Sequence, residues 1–180
     1  PLTLAKTIKN YLDEDAEQIR LPKNDIKLAN IDCLTMVACG TAFYAALTAK
    51  YWFEKIARIK VEVDVASEFR YREPPVTKET TAIFVSQSGE TADTLAALRY
   101  MSSQNAKIIS VVNVPESSIA RESDLVLPLY VGPEIGVAST KAFTAQLTVL
   151  ALLALKIAKT KNVITEAQYC IHLEELKVIP

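Results

Sequence analysis

Five short apolar runs alternate with longer stretches of helical spacing, and this alternation restricts the chain more than any other feature. Residues 33–38 (CLTMVA), 60–65 (KVEVDV), 81–85 (TAIFV), 107–112 (KIISVV) and 125–127 (LVL) carry the β-branched and apolar side chains of strands. Helices are expected over 42–57, 67–71 and 92–103, with a short one opened by Pro115-Glu116-Ser117-Ser118, a long one over 138–159 and a last one over 164–176. Leu4, Ile8 and Leu12 recur every four residues and mark a first helix. Strands separated by helices cannot pair through hairpins. They pair in parallel, with helices on both faces of the sheet, which makes an α/β fold. Runs 33–38, 81–85 and 107–112 are continuously apolar, as strands buried on both faces are, whereas 60–65 alternates and belongs near an edge.

The 180 residues suit one domain, with a core expected over about 31–160. A net charge of −1 argues against a nucleic-acid surface. Lys50, Lys55, Arg58 and Lys60 cluster, and read as a solvated helix face. Three cysteines, an odd number without a CxxC spacing, argue against a disulfide framework or a zinc site and point to a reducing cytosol. The first ten residues lack the apolar stretch of a signal peptide. The longest apolar run, 147–155 with Thr148 inside it, is short of the roughly 20 residues that span a bilayer. Pro1 and the approach to Pro180 suggest a segment excised from a longer chain.

In a parallel α/β sheet, ligands bind beyond the carboxyl ends of the strands. Three loops at such ends share a composition of small and hydroxyl residues, and each leads into a helix. They are Cys39-Gly40-Thr41, Ser86-Gln87-Ser88-Gly89-Glu90-Thr91 and Val137-Ala138-Ser139-Thr140. A helix start presents unpaired N–H groups and a partial positive charge, so it binds an anion without a basic side chain. Hydroxyls rotate to fit phosphate oxygens, and the Gln87 amide can read a sugar hydroxyl. Ordinary helix capping is the competing account of the same residues. Glu90 and Asp93 weigh against a phosphate unless both point away from it. No GxxxxGK[ST] or GxGxxG occurs, and no cofactor is expected.

Catalytic candidates are few. His172 lies in the last helix and Cys39 at a strand end with no histidine near it in sequence; both read as structural or surface residues. Glu134 sits in an edge loop as a conceivable base or a solvated carboxylate, and Lys141 offers one positive charge there.

Together, Ser86 to Thr94 (SQSGETADT), Cys39-Gly40-Thr41 and Glu134 to Thr144 (EIGVASTKAFT) resemble the isomerising glutamine–fructose-6-phosphate aminotransferases, the glucosamine-6-phosphate synthases. The segments 51–54 (YWFE), 66–72 (ASEFRYR) and 121–125 (RESDL) add to a likeness that runs from about Cys33 to Lys156. The resemblance implies a sugar isomerase (SIS) domain, a three-layer sandwich with a five-stranded parallel sheet of flavodoxin-like kind. It implies the first of two SIS domains in a cytoplasmic enzyme whose chain also carries an N-terminal glutaminase domain. The helix from Ala138, apolar nearly all round, is expected to be buried in a homodimer or against the second SIS domain. The sugar phosphate, fructose 6-phosphate or glucosamine 6-phosphate, would then be held by Thr41, Ser86, Gln87, Ser88, Thr91, Val137 and Ser139. The family often has serine after the CGT triad, where this chain has Ala42. No catalytic residue of the family maps onto this chain, so the segment is expected to bind sugar phosphate without converting it. A SIS sensor module is one alternative. A stand-alone isomerase using Glu134 or Glu90 as base is another.

Overall fold

The computed structural model describes residues 1–77, 79–134 and 139–180. Strands β1 (Cys33–Ala38), β2 (Lys60–Val65), β3 (Thr81–Ser86), β4 (Lys107–Val112) and β5 (Leu125–Pro128) form an all-parallel sheet in the order β2-β1-β3-β4-β5. Helices α1 (Leu2–Asn10), α2 (Gly40–Lys55), α3 (Ala66–Arg72), α4 (Ala92–Ser103), α5 (Ser118–Arg121), α6 (Lys141–Thr160) and α7 (Glu166–Lys177) surround it, with a 3-10 turn at Leu28–Asn30.

Alternation along the strands builds two cores. Leu34, Met36, Ile83, Val85, Ile109 and Val111 face α2, α6 and α7. Val37, Phe84, Ile108 and Val112 face α3, α4 and α5. Every residue of β3 is buried, as a central strand covered on both faces requires. Each large apolar side chain sealed in this way contributes roughly 1.5–3 kcal/mol. β2 is an edge strand, and its exposed Lys60 and Glu62 keep that edge from pairing with another chain.

The longest helix differs most from its sequence reading. The nine-residue apolar run understates α6, whose 20 residues are by length and composition apolar enough to cross a bilayer. Instead α6 packs against α1, α2, α7 and β4, and 67% of its apolar window is buried inside the fold. That is how a core helix behaves. Its expected start, Ala138, lies outside the described residues, and the helix is regular from Lys141 onward. α7 begins later than expected because Thr165 and Gln168 form a reciprocal capping box that fixes the start at Glu166.

Chain ends are tied to the sheet by buried hydroxyls. Thr7 donates to the Leu129 carbonyl at 2.6 Å, and Tyr11 to that of Pro128 at 2.9 Å. Tyr169 accepts from the Ile19 amide at 2.8 Å. Burial pushes the phenols of Tyr11 and Tyr169 up.

Candidate functional site

Strand order decides where a ligand can sit. β1 feeds α2 on one face and β3 feeds α4 on the other, so the chain parts at the ends of two neighbouring strands. Such a switch point opens a crevice at the carboxyl edge. Ala38 pairs with Val85, so Cys39 and Ser86 leave strands about 5 Å apart. The starts of α2 and α4 therefore lie beside each other, and neither carries a side-chain cap.

The loop after β3 is held in shape by its own serines. Ser86 belongs to the strand rather than the loop, and only 3% of it is exposed. Its hydroxyl accepts the Gly89 amide at 3.0 Å and lies 3.3 Å from the Thr91 hydroxyl. Ser88 accepts the Glu90 amide at 3.2 Å. Gln87 and Ser88 are half-buried. Gly89 is buried at φ +67°, a left-handed conformation that favours glycine.

Both carboxylates near the loop are engaged elsewhere. Glu90 accepts the Ser118 amide at 2.7 Å, at the start of α5. Asp93 pairs with Arg70 of α3 at 2.7 Å. Both contacts draw the two acids onto α5 and α3. The Ser118 amide, then its hydroxyl, and last the charge of Arg121 hold the Glu90 carboxyl below the usual glutamate range, against a small opposing effect of burial. A carboxyl lowered on folding adds stability above its unfolded pKa, and that stability is lost as pH falls through the folded one. Glu90→Gln is therefore expected to lower Tm at neutral pH, with the gap to wild type closing as pH falls below about 4.3. Thermal melts between about pH 3 and 7 read this, and a gap independent of pH would refute it.

Thr41 is exposed on the first turn of α2, open to the crevice edge. Ala42, where the resembled family often has serine, is only 6% exposed and packs in the core beneath α2. Its methyl serves packing, so at this position only the backbone amide remains for a ligand. Val137 lies outside the described residues. Ser139 is half-buried and donates to Glu134 at 3.2 Å, and Glu134 also accepts the Thr140 amide at 2.8 Å. Glu134, considered as a base, thus stands as a negative cap at the start of α6, where the helix dipole favours it. Lys141 donates to the Pro133 carbonyl at 2.6 Å. Cys39 is a half-buried free thiol preceding α2, and His172 is paired with Glu175 at 3.0 Å on α7.

Sequence reasoning missed the residues that brace these loops. Ile119 donates to the Gly89 carbonyl at 3.1 Å, and the Asn113 amide to that of Gln87 at 3.1 Å. Their signal was present, since Asn113 and Pro115-Glu116-Ser117-Ser118 follow β4 at the same sheet edge.

Larger hollows lie elsewhere. One of about 620 Å³ sits by β2, lined by Thr35, Lys60, Glu62, Asp64 and Arg72 among others. Its charges pair off as Lys60–Glu62 and Arg72–Asp64, and Lys50 beside them pairs with Glu54 of α2. An apolar groove of about 400 Å³ runs between α2, α6 and α7. Neither matches the charge-poor, amide-rich crevice at the switch point, whose arrangement suits binding and orienting an oxyanion.

Comparison with known proteins agrees with this geometry. Residues 27–156 match the family described as SIS domain. The chain is 56% identical over 168 residues to an isomerizing glutamine–fructose-6-phosphate aminotransferase of Brucella abortus, covering 93% of this chain and 28% of that protein. It is 47% identical over 180 residues to the protein of the same name from Rhizobium leguminosarum, covering 100% of this chain and 30% of that one. The solved C-terminal domain of glucosamine-fructose-6-phosphate aminotransferase from Francisella tularensis superposes with a TM-score of 0.91 and 44% identity, covering 98% of this chain and 50% of that chain. The chain thus spans less than a third of the length of these curated relatives. A family match over well over half of the sequence, on a five-stranded parallel sheet with serine-rich loops at its carboxyl edge, places the chain: it belongs to the SIS domain family.

Proposed function

We propose that this chain is the first SIS segment of an isomerising glutamine–fructose-6-phosphate aminotransferase, and that it binds the hexose 6-phosphate. The whole protein would make glucosamine 6-phosphate and glutamate from fructose 6-phosphate and glutamine in the cytoplasm. A glutaminase domain and a second SIS domain would complete it, in a homodimer. The carrying observation is the switch point between β1 and β3, beyond which two helix starts without a side-chain cap lie side by side while Glu90 and Asp93 are held by other partners. Amides at the starts of α2 and α4 would hold the phosphate, with the hydroxyls of Thr41, Ser88 and Thr91 completing its shell, while that of Ser139 would reach the sugar. Ser86 would act one step back, by fixing the Gly89 amide and the Thr91 hydroxyl. Gln87 and the backbone at Val137 would read sugar hydroxyls.

Proton transfer between sugar carbons needs a base within hydrogen-bond reach of the substrate. Glu134, the edge carboxylate best placed by sequence, is taken up in capping α6. The segment by itself is thus a binding unit, with the converting groups outside it. Calorimetric titration with fructose 6-phosphate tests this. Ser86→Ala and Ser88→Ala are each expected to weaken binding about tenfold, or about 1.4 kcal/mol. Equal affinity in wild type and both variants would refute the cradle.

A further inference from the structure

Two halves of the proposed cradle come from loops far apart in sequence, and one residue joins them, through its backbone to one loop and its side chain to the other. Asn113 is the first residue beyond β4. Its backbone amide donates to the Gln87 carbonyl at 3.1 Å, extending the β3–β4 ladder by one step into the serine loop. Its side chain reaches the other way. Nδ2 donates to the Gly132 carbonyl at 2.7 Å, and Oδ1 accepts the Val131 amide at 3.3 Å. The backbone gripped there is unusual, because Tyr130 at φ +59° and Gly132 at φ +66° flank Val131 in left-handed conformations. A left-handed non-glycine residue costs about 1–2 kcal/mol by itself, so such a turn persists only where contacts fix it. Just beyond the turn, Glu134 holds Ser139 and Thr140 at the start of α6.

We propose that Asn113 is a positioning residue which couples the serine loop after β3 to the loop that carries Ser139, so that both halves of the cradle keep one register. The proposal rests on the sugar-phosphate reading above. A hexose phosphate spans both halves and depends on their spacing, whereas inorganic phosphate needs only the amides and hydroxyls at the starts of α2 and α4.

The test combines amide hydrogen exchange of the unliganded chain with NMR titrations of fructose 6-phosphate and of inorganic phosphate. Asn113→Ala is expected to speed exchange by about tenfold or more at Val131, whose amide loses its acceptor, and at Thr140, whose amide is held by Glu134 beyond the turn, since local opening is set by the contacts removed. It should weaken fructose 6-phosphate about tenfold while changing inorganic phosphate less than about threefold. Asn113→Asp keeps the acceptor for Val131 and loses the donor to Gly132, so exchange at Val131 should stay slow in that variant. Ile157→Val, a packing change in α6, controls for general destabilisation and should leave the ratio of the two affinities unchanged. Unaltered exchange at Val131 and Thr140, or an equal loss for both ligands, would overturn the proposal. Should wild type bind no fructose 6-phosphate, the sugar reading fails, and the exchange measurement alone decides whether Asn113 joins the loops.

Discussion

Gly89→Ala is expected to destabilise the chain by about 2–5 kcal/mol, a large loss for one methyl group. Two costs combine. The left-handed φ of +67° penalises any Cβ by about 1–2 kcal/mol. The new Cβ would also stand 1.9 Å from the Ser117 hydroxyl oxygen and 2.5 Å from the Ser117 Cβ. Ser117 is buried and caps α5 through the Ala120 amide, so it cannot swing aside freely. Relieving such overpacking typically costs about 1–3 kcal/mol. The two costs are separable. Ser117→Gly removes the obstructing atoms, and glycine at a helix cap costs only a few tenths of a kcal/mol. The double variant should therefore be more stable than Gly89→Ala alone, while staying below wild type because the φ penalty remains. Denaturant unfolding of the four members of this cycle measures the coupling, and strictly additive effects would refute the close approach.

The second large effect concerns binding. Ser88→Asp is expected to abolish hexose-phosphate binding, by about a hundredfold or more, or at least about 2.7 kcal/mol. The proposed cradle requires its acids to be engaged elsewhere, as Glu90 is with α5 and Asp93 with Arg70. An aspartate at 88 adds a carboxylate to a half-buried position beside the helix start. An ammonium-bearing ligand would lose less than an anion, so glucosamine 6-phosphate should retain more binding than fructose 6-phosphate. Stability should change little, since Asp can take over from Ser88 in accepting the Glu90 amide and suits a helix start. Undiminished affinity for fructose 6-phosphate in a folded Ser88→Asp variant would place the phosphate elsewhere.

Local chemistry made much of this readable in advance. The apolar runs gave the strands, and β3 lengthened only by Ser86, which closes the ladder against Val112. Hydroxyls clustered before helices gave the edge on which a ligand would sit. Strand order was not legible, because pairing between β1 and β3 depends on long-range packing rather than on any local pattern. Ala42 shows a similar limit: the family resemblance suggests a missing ligand hydroxyl there, whereas its position on the buried side of α2 makes it a packing residue. Glu134 looked like a free carboxylate, and its capping role emerges only once the chain turns back on Ser139 and Thr140. Asn113 carried no motif at all. Its importance lies in joining residues 87 and 131–132, which are brought together by the sheet.

The most direct test of the central claim is a map of where the ligand binds, read from amide chemical shifts as fructose 6-phosphate is titrated into the chain. The phosphate cradle predicts that the largest shifts fall on Gly40, Thr41, Gln87, Ser88, Gly89 and Ala92, around the switch point between β1 and β3. Shifts centred instead on the apolar groove of α2, α6 and α7 or on the polar hollow beside β2, with the switch-point amides unmoved, would contradict it.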